Sequence, residues 1–349
     1  MKIGIITIID RNYGNRLQNY AAQEVLKQYG NVETIPFVKR DKQALGRWII
    51  KKLLYTIKHN YSYAWEEFDL KIKYGRYQID KDEDKLCKYY DFVCLGSDQV
   101  WNTDWYESNP LRKKACLLSF FNREQKVCFA PSFGISEIGE EWKDWFSKNI
   151  KDIPYLSVRE SDGAQIIEKL TGKTAEVLID PTLMLDAKEW MKLEKMPLHI
   201  DCEKNYVFTY FLGEITERAQ KQLDEIKMEY GCNVINIHEI MHDSFMNIGP
   251  SEFLYLVHHA FLIMTDSFHA SVFSFIFEKP FLLFARSDTE NRMMSRMNTL
   301  INTFGLKRKY VDSGLGNELL EHDYSYGFNK LLEERKKVNN FLEKAFKSK

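Results

Sequence analysis

The chain has 349 residues, 44% of them apolar and 28% charged, with 49 Lys and Arg set against 50 Asp and Glu. This length predicts two domains of ~150 residues each, and a net charge of −1 argues against both a disordered chain and a dedicated nucleic-acid binder. No apolar run approaches the ~20 residues that span a bilayer, and the stretch from Met1 to Ile9 lacks a small-residue cleavage site, so the expected location is cytoplasmic.

Short apolar runs alternate with helical periodicity, the pattern of a parallel sheet with crossover helices. Strands are predicted first at 3–8, 32–36, 92–95, 126–129, 155–158 and 176–178. A second series is predicted at 206–210, 233–236, 260–264 and 281–284. Helices are predicted at 16–29, 140–149, 161–170, 217–230, 269–277 and 329–346. Asp180-Pro181 closes the first series, and a connecting helix starts at 186–190. The expected fold class is α/β, with two doubly wound, Rossmann-like lobes at 1–187 and 188–325 facing a cleft, and a packing helix at 326–349.

Between residues 39 and 58 stand seven Lys and Arg against one Asp, interleaved with Leu45, Trp48, Ile49, Ile50, Leu53 and Leu54. Such a basic amphipathic helix can lie on an anionic membrane, or it can pack its apolar stripe on the protein. The six cysteines (87, 94, 116, 128, 202 and 232) form no C-x-x-C pair, so free thiols are expected and no metal site.

Four polar strings follow predicted strands. In the first, Asn12-Tyr13-Gly14-Asn15-Arg16-Leu17-Gln18-Asn19, a glycine at the turn bares helix amides suited to an anion or sugar hydroxyls, although plain capping explains it equally well. It is neither G-x-G-x-x-G nor a Walker loop. The second, Gly96-Ser97-Asp98-Gln99-Val100-Trp101-Asn102, lies where open α/β sheets bind ligands. There Asp98 can act as a base toward a hydroxyl, with Gln99 and Asn102 beside it, or Ser97 and Asp98 can simply cap a helix. In the third, Ser157-Val158-Arg159-Glu160, the arginine can clamp a carboxylate or phosphate, or pair with a neighbouring acid. In the fourth, Thr265-Asp266-Ser267-Phe268-His269-Ala270-Ser271, a histidine falls in the first turn of a helix. That field attracts an anion but disfavours the imidazolium, so the histidine would gain its proton from the ligand.

Taken together and in this order, these strings resemble the polysaccharide pyruvyl transferase family, as do Asp180-Pro181-Thr182-Leu183 and Lys279-Pro280-Phe281. The resemblance covers about residues 1–310. It implies a GT-B-like pair of lobes, phosphoenolpyruvate as co-substrate, no cofactor and no metal. It also implies a sugar or lipid-linked oligosaccharide acceptor that receives pyruvate as a cyclic ketal, in the service of cell-surface glycan biosynthesis in bacteria. By the same resemblance Arg159 is the donor arginine, His269 the catalytic histidine and Asp98 the acid near the acceptor. Asn15, Arg16, Gln18, Asn19, Gln99, Trp101 and Asn102 are the expected acceptor contacts.

One departure concerns the donor. Family members carry a second arginine two residues before the histidine, where this chain has Ser267. Lys279, Arg286, Arg292 and Arg296 are the candidates to replace it, and their spacing does not choose among them. The rival readings are a glycosyltransferase using a nucleotide-sugar donor and a catalytically silent glycan-binding homologue. Membrane contact through 39–58 would suit a lipid-linked acceptor.

Overall fold

The computed structural model describes residues 1–37, 44–58, 63–106, 110–241, 247–286, 295–306 and 323–347. The first sheet is built from β1 (Lys2–Ile6), β2 (Asn31–Thr34), β3 (Phe92–Leu95) and β4 (Lys126–Cys128), all parallel, in the order β2-β1-β3-β4. A bridge from Val127 to Tyr155 extends it toward a short parallel pair, β5 (Ser157–Val158) and β6 (Glu176–Val177). The second sheet contains β7 (Tyr206–Tyr210), β8 (Asn233–Asn236), β9 (Leu262–Thr265) and β10 (Phe281–Leu283), parallel in the order β10-β9-β7-β8. Crossover helices cover both faces of such sheets, so strands β3, β7 and β9 are buried along their whole length. Their unbroken apolar runs follow from that burial.

The strand order decides where a ligand can sit. In each sheet the chain first builds outward on one side and then returns to the other, which opens a crevice at the carboxyl ends of the two central strands. In the first sheet those strands are β1 and β3, followed by the strings at Asn12 and Gly96. In the second they are β7 and β9, followed by Phe211–Gly213 and by the string at Thr265.

Two devices lock the lobes together. Tyr13 opens the helix Tyr13–Leu26 and stacks on Phe253 of the helix Pro250–His259 at 4.8 Å, with Tyr210 edge-on at 5.8 Å. The final helix, Ser325–Lys347, packs Phe328 on Phe275 of the second lobe at 4.8 Å and Phe346 on Phe92 of the first at 5.2 Å. Its Arg335 donates to the carbonyls of Leu183 and Leu185, where the chain leaves the first lobe.

The basic segment forms the helix Ala44–Lys58, and residues 39–43 lie outside the described residues. Its apolar residues divide between two faces. Tyr55 is buried against Tyr63, and Lys51 reaches Glu66 at 2.5 Å. Ile49, Ile50 and Leu53 point outward, 52%, 59% and 58% exposed.

Candidate active site

The site is assembled around one buried carboxylate. Asp180 caps the turn Pro181–Met184, its Oδ1 accepting from the amide and hydroxyl of Thr182 at 2.9 and 2.7 Å. Its other oxygen, Oδ2, accepts from Ser97 Oγ at 2.6 Å and from Arg159 Nη1 at 2.7 Å, and lies 3.7 Å from His269 Nε2. Burial alone would raise the carboxyl's pKa; the nearby His269, with the hydrogen-bonded Arg159 and Ser97, outweighs it and holds Asp180 far below the usual carboxylate range. The aspartate therefore stays ionised between the Arg159 guanidinium and the His269 ring, placed to orient the imidazole.

His269 enters from the opposite lobe, in the first turn of the helix Phe268–Ile276. Its ring lies directly on Gly14, where an added Cβ would fall within 2.7 Å of Nδ1, Cγ and Cε1. The glycine expected to bare amides is thus the floor on which the histidine rests. Ser267 is the N-cap of the same helix, its hydroxyl facing the Ala270 amide at 3.4 Å. Asp266, beside it, accepts from the amides of Leu212 and Gly213 at 2.6 and 3.0 Å, and burial raises its pKa.

Arg159 is 3% exposed. Its guanidinium lies over the Phe268 ring at 4.4 Å, and Nη2 is 3.8 Å from Asp98. Burial works against its charge, but Asp180, Asp98 and Glu160 overcome that and raise its pKa. Asp98 has φ +83°, a left-handed backbone that costs a non-glycine residue about 1–3 kcal/mol and clusters at functional positions. Gly134, at φ +69°, leaves room for Gln99, whose amide lies against the guanidinium of Arg296.

Of the four cations named as candidates beside Ser267, Arg296 shares a pocket with Arg159. It comes from the helix Ser295–Phe304, is 8% exposed, and has no carboxylate paired with it among the described residues. Burial and the charge of Arg159 lower its pKa to about 10. Arg286 adds a third positive charge close enough to oppose that of Arg296. Arg159 and Arg296 line one small pocket with Asp180, Phe268, Thr299 and Thr303. Two guanidiniums are thus held together out of water, with Nε of both lacking hydrogen-bond partners, an arrangement chemically suited to an anion.

A family model for polysaccharide pyruvyl transferases matches residues 12–288. The chain belongs to that family. No curated protein matches the sequence. Among solved structures, the S. aureus MnaA–UDP co-structure superposes with a TM-score of 0.54 at 12% identity, covering 98% of this chain and 96% of that one. A putative UDP-N-acetylglucosamine 2-epimerase from Listeria monocytogenes gives 0.51 at 11% identity, covering 100% and 97%. The fold of this polysaccharide pyruvyl transferase family member is accordingly of the GT-B type.

The structure brings together Asp98, Arg159, Ser267, His269, Arg286 and Arg296. Lys279 stands elsewhere: it follows the far end of the helix Phe268–Ile276, about 13 Å along the axis from its start, and its carbonyl accepts from Tyr324. Arg292 lies outside the described residues.

Most of the expected acceptor contacts turn inward. Arg16 is tied to Asp69 at 2.9 Å, and Asn19 Oδ1 accepts from Thr34 at 2.7 Å. Trp101 is fully buried with its indole N–H on the Cys116 carbonyl, and Asn102 caps the turn Thr103–Trp105. Gln18 is also buried, donating to Thr7 at 2.6 Å; Thr7 in turn donates to the Ser97 carbonyl, so Gln18 supports the site from behind. The turn and helix register aims these polar side chains into the lobe, and only Asn15 among the four from the first string keeps partial exposure. In the sequence Asp180 only closes the first series of strands and opens the string Asp180-Pro181-Thr182-Leu183; its place at the centre of the site comes from tertiary contacts.

Proposed function

We propose that the protein transfers the enolpyruvyl group of phosphoenolpyruvate to two hydroxyls of a sugar in a glycan or lipid-linked glycan precursor, forming a pyruvate ketal and releasing phosphate. The observation that carries this reading is the buried pair Arg159 and Arg296, set beside His269 and Asp180. A small trianion needs two guanidiniums, and ketal formation needs an acid next to them.

In this reading the donor's carboxylate and phosphate lie on Arg159 and Arg296. His269, as the acid, gives its proton to the methylene carbon, and cationic character builds on the adjacent carbon. One sugar hydroxyl attacks that carbon and passes its proton to Asp98. The bond to phosphate breaks, and the second hydroxyl closes the ring. Its proton leaves with phosphate or returns to His269, so two carbon–oxygen bonds form, one breaks, and the methylene becomes a methyl.

We also propose that the helix Ala44–Lys58 rests on an anionic lipid surface. Ile49, Ile50 and Leu53 would enter the headgroup boundary, with Lys52 beside them meeting lipid charge. This would bring the cleft to a lipid-linked acceptor.

A second reading rests on the open recess lined by Phe211, Leu212, Gly213, Glu214, Ile215, Asn236 and His238, at the carboxyl ends of β7 and β8. A nucleotide-sugar donor would use that recess. Thermal melting with added ligand separates the two: phosphoenolpyruvate raising Tm while UDP does not supports the first, and the reverse supports the second.

A further inference from the structure

The sequence offers His258-His259 with no third ligand nearby, but the fold supplies one. Glu194, in the connector after the helix Ala187–Met191, places its carboxylate against both rings: Oε1 is 2.8 Å from His258 Nδ1, and Oε2 is 3.4 Å from His259 Nε2. One ligand atom from each of the three residues lies within 4.8 Å of the others. We propose that Glu194, His258 and His259 bind a divalent transition metal of the zinc class.

Four features favour an ion over a simple hydrogen-bonded triad. Zinc bonds of about 2.0–2.1 Å set ligand atoms roughly 3.3 Å apart around a tetrahedron, close to the 2.8 and 3.4 Å between Glu194 and the two rings. His258 Nδ1 and Glu194 Oε1, though near, make no hydrogen bond with each other or with other described residues. Both rings are clamped: Tyr255 stacks on His259 at 4.0 Å and Phe277 on His258 at 4.6 Å, so little ring motion would be lost on binding. The histidines also end the helix Pro250–His259, where the unpaired carbonyls favour a cation.

The surrounding charges have been allotted elsewhere or act weakly. Lys195 pairs with Glu67 at 2.5 Å, turned from Glu194. Lys279 lies close enough to act on His259 but makes no contact with the cluster. Tyr206 is committed to the Leu256 carbonyl at 2.9 Å, and Cys202 lies near Tyr255 without joining the cluster. Three protein ligands leave a position for water on the exposed side of His259. The site stands about 8 Å further along the helix than Phe253, which packs on Tyr13. A bound ion would fasten the connector to the second lobe, reinforcing the bond from the Lys195 amide to the Ser251 carbonyl.

The test uses the full chain, stripped with EDTA and dialysed, then titrated calorimetrically with zinc chloride, with cobalt(II) absorption as a second readout. We expect one zinc per chain, a tetrahedral cobalt spectrum and a higher Tm with zinc. Glu194→Gln and the double variant His258→Ala/His259→Ala should each weaken binding at least tenfold and lose the cobalt spectrum. Melting in EDTA separates lost ligation from lost folding, because Glu194→Gln should then melt close to wild type. Absence of stoichiometric zinc binding, or binding unchanged in both variants, overturns the site. Neither result bears on the phosphoenolpyruvate reading.

Discussion

Asp180 and His269 face each other across the lobe boundary, with Oδ2 3.7 Å from Nε2. The same oxygen holds Arg159 at 2.7 Å, so one buried charge lies against both side chains. Asp180→Asn keeps the shape and the cap on Thr182 but removes that charge. Leaving Arg159 buried with only the more distant Asp98 and Glu160 to offset its charge should cost about 3–5 kcal/mol of stability. Turnover should fall by about 10²–10⁴-fold, the scale of a lost acid–base partner. Near-wild-type turnover would remove Asp180 from the mechanism.

Gly14 and His269 form a second linked pair. Gly14→Ala places a Cβ inside the ring's volume, and overpacking of this kind costs about 1–3 kcal/mol. The same substitution made in a His269→Ala background should cost far less, because the obstacle is gone. A double-mutant cycle by urea unfolding reads the difference; an additive cycle would mean that the two residues do not touch in solution.

These two pairs mark what can and cannot be read from the chain. The ten strands among the described residues overlap the predicted runs, most plainly β3, β7 and β9, where burial on both faces writes itself into composition. The helix Pro250–His259 escaped because most of its residues, Pro250 to Leu254 among them, are buried and leave no amphipathic period. The site residues on strand ends were legible for a topological reason, and Arg159 and His269 sit where the strings put them. Directions were not legible. Nothing in Asn15-Arg16-Leu17-Gln18-Asn19 tells that Asn19 meets Thr34 inside the lobe, and nothing around Arg296 tells that it folds back onto Arg159.

Glu252 should give the interlobe contact a pH dependence. It is 5% exposed, and burial pushes its carboxyl from 4.5 up to about 7 despite the Gly249 amide at 2.9 Å. The folded protein holds this proton longer than the unfolded chain. The associated stability is therefore present below pH 4.5 and is lost as pH rises through about 7, by about 3 kcal/mol. Melting curves of wild type minus Glu252→Gln across that window should show the decline. A flat difference would contradict the buried, proton-holding carboxyl.

The outward face of the helix Ala44–Lys58 predicts co-sedimentation with phosphatidylglycerol vesicles and little with phosphatidylcholine. Ile49→Ser/Leu53→Ser should reduce the bound fraction several-fold without changing Tm, since neither side chain is buried. If these substitutions leave vesicle binding intact, or instead abolish a dimer seen by light scattering, the lipid reading fails.

The most direct test of the central claim is a calorimetric titration of wild type and Arg296→Met with phosphoenolpyruvate, with UDP alongside. Arg296 is a buried cation whose pKa is pulled down to about 10, so replacing it with a neutral side chain of similar length should raise Tm. The account predicts saturable phosphoenolpyruvate binding by wild type and at least a tenfold loss in this better-folded variant. Equal binding by both proteins, or UDP binding in place of phosphoenolpyruvate, would contradict it.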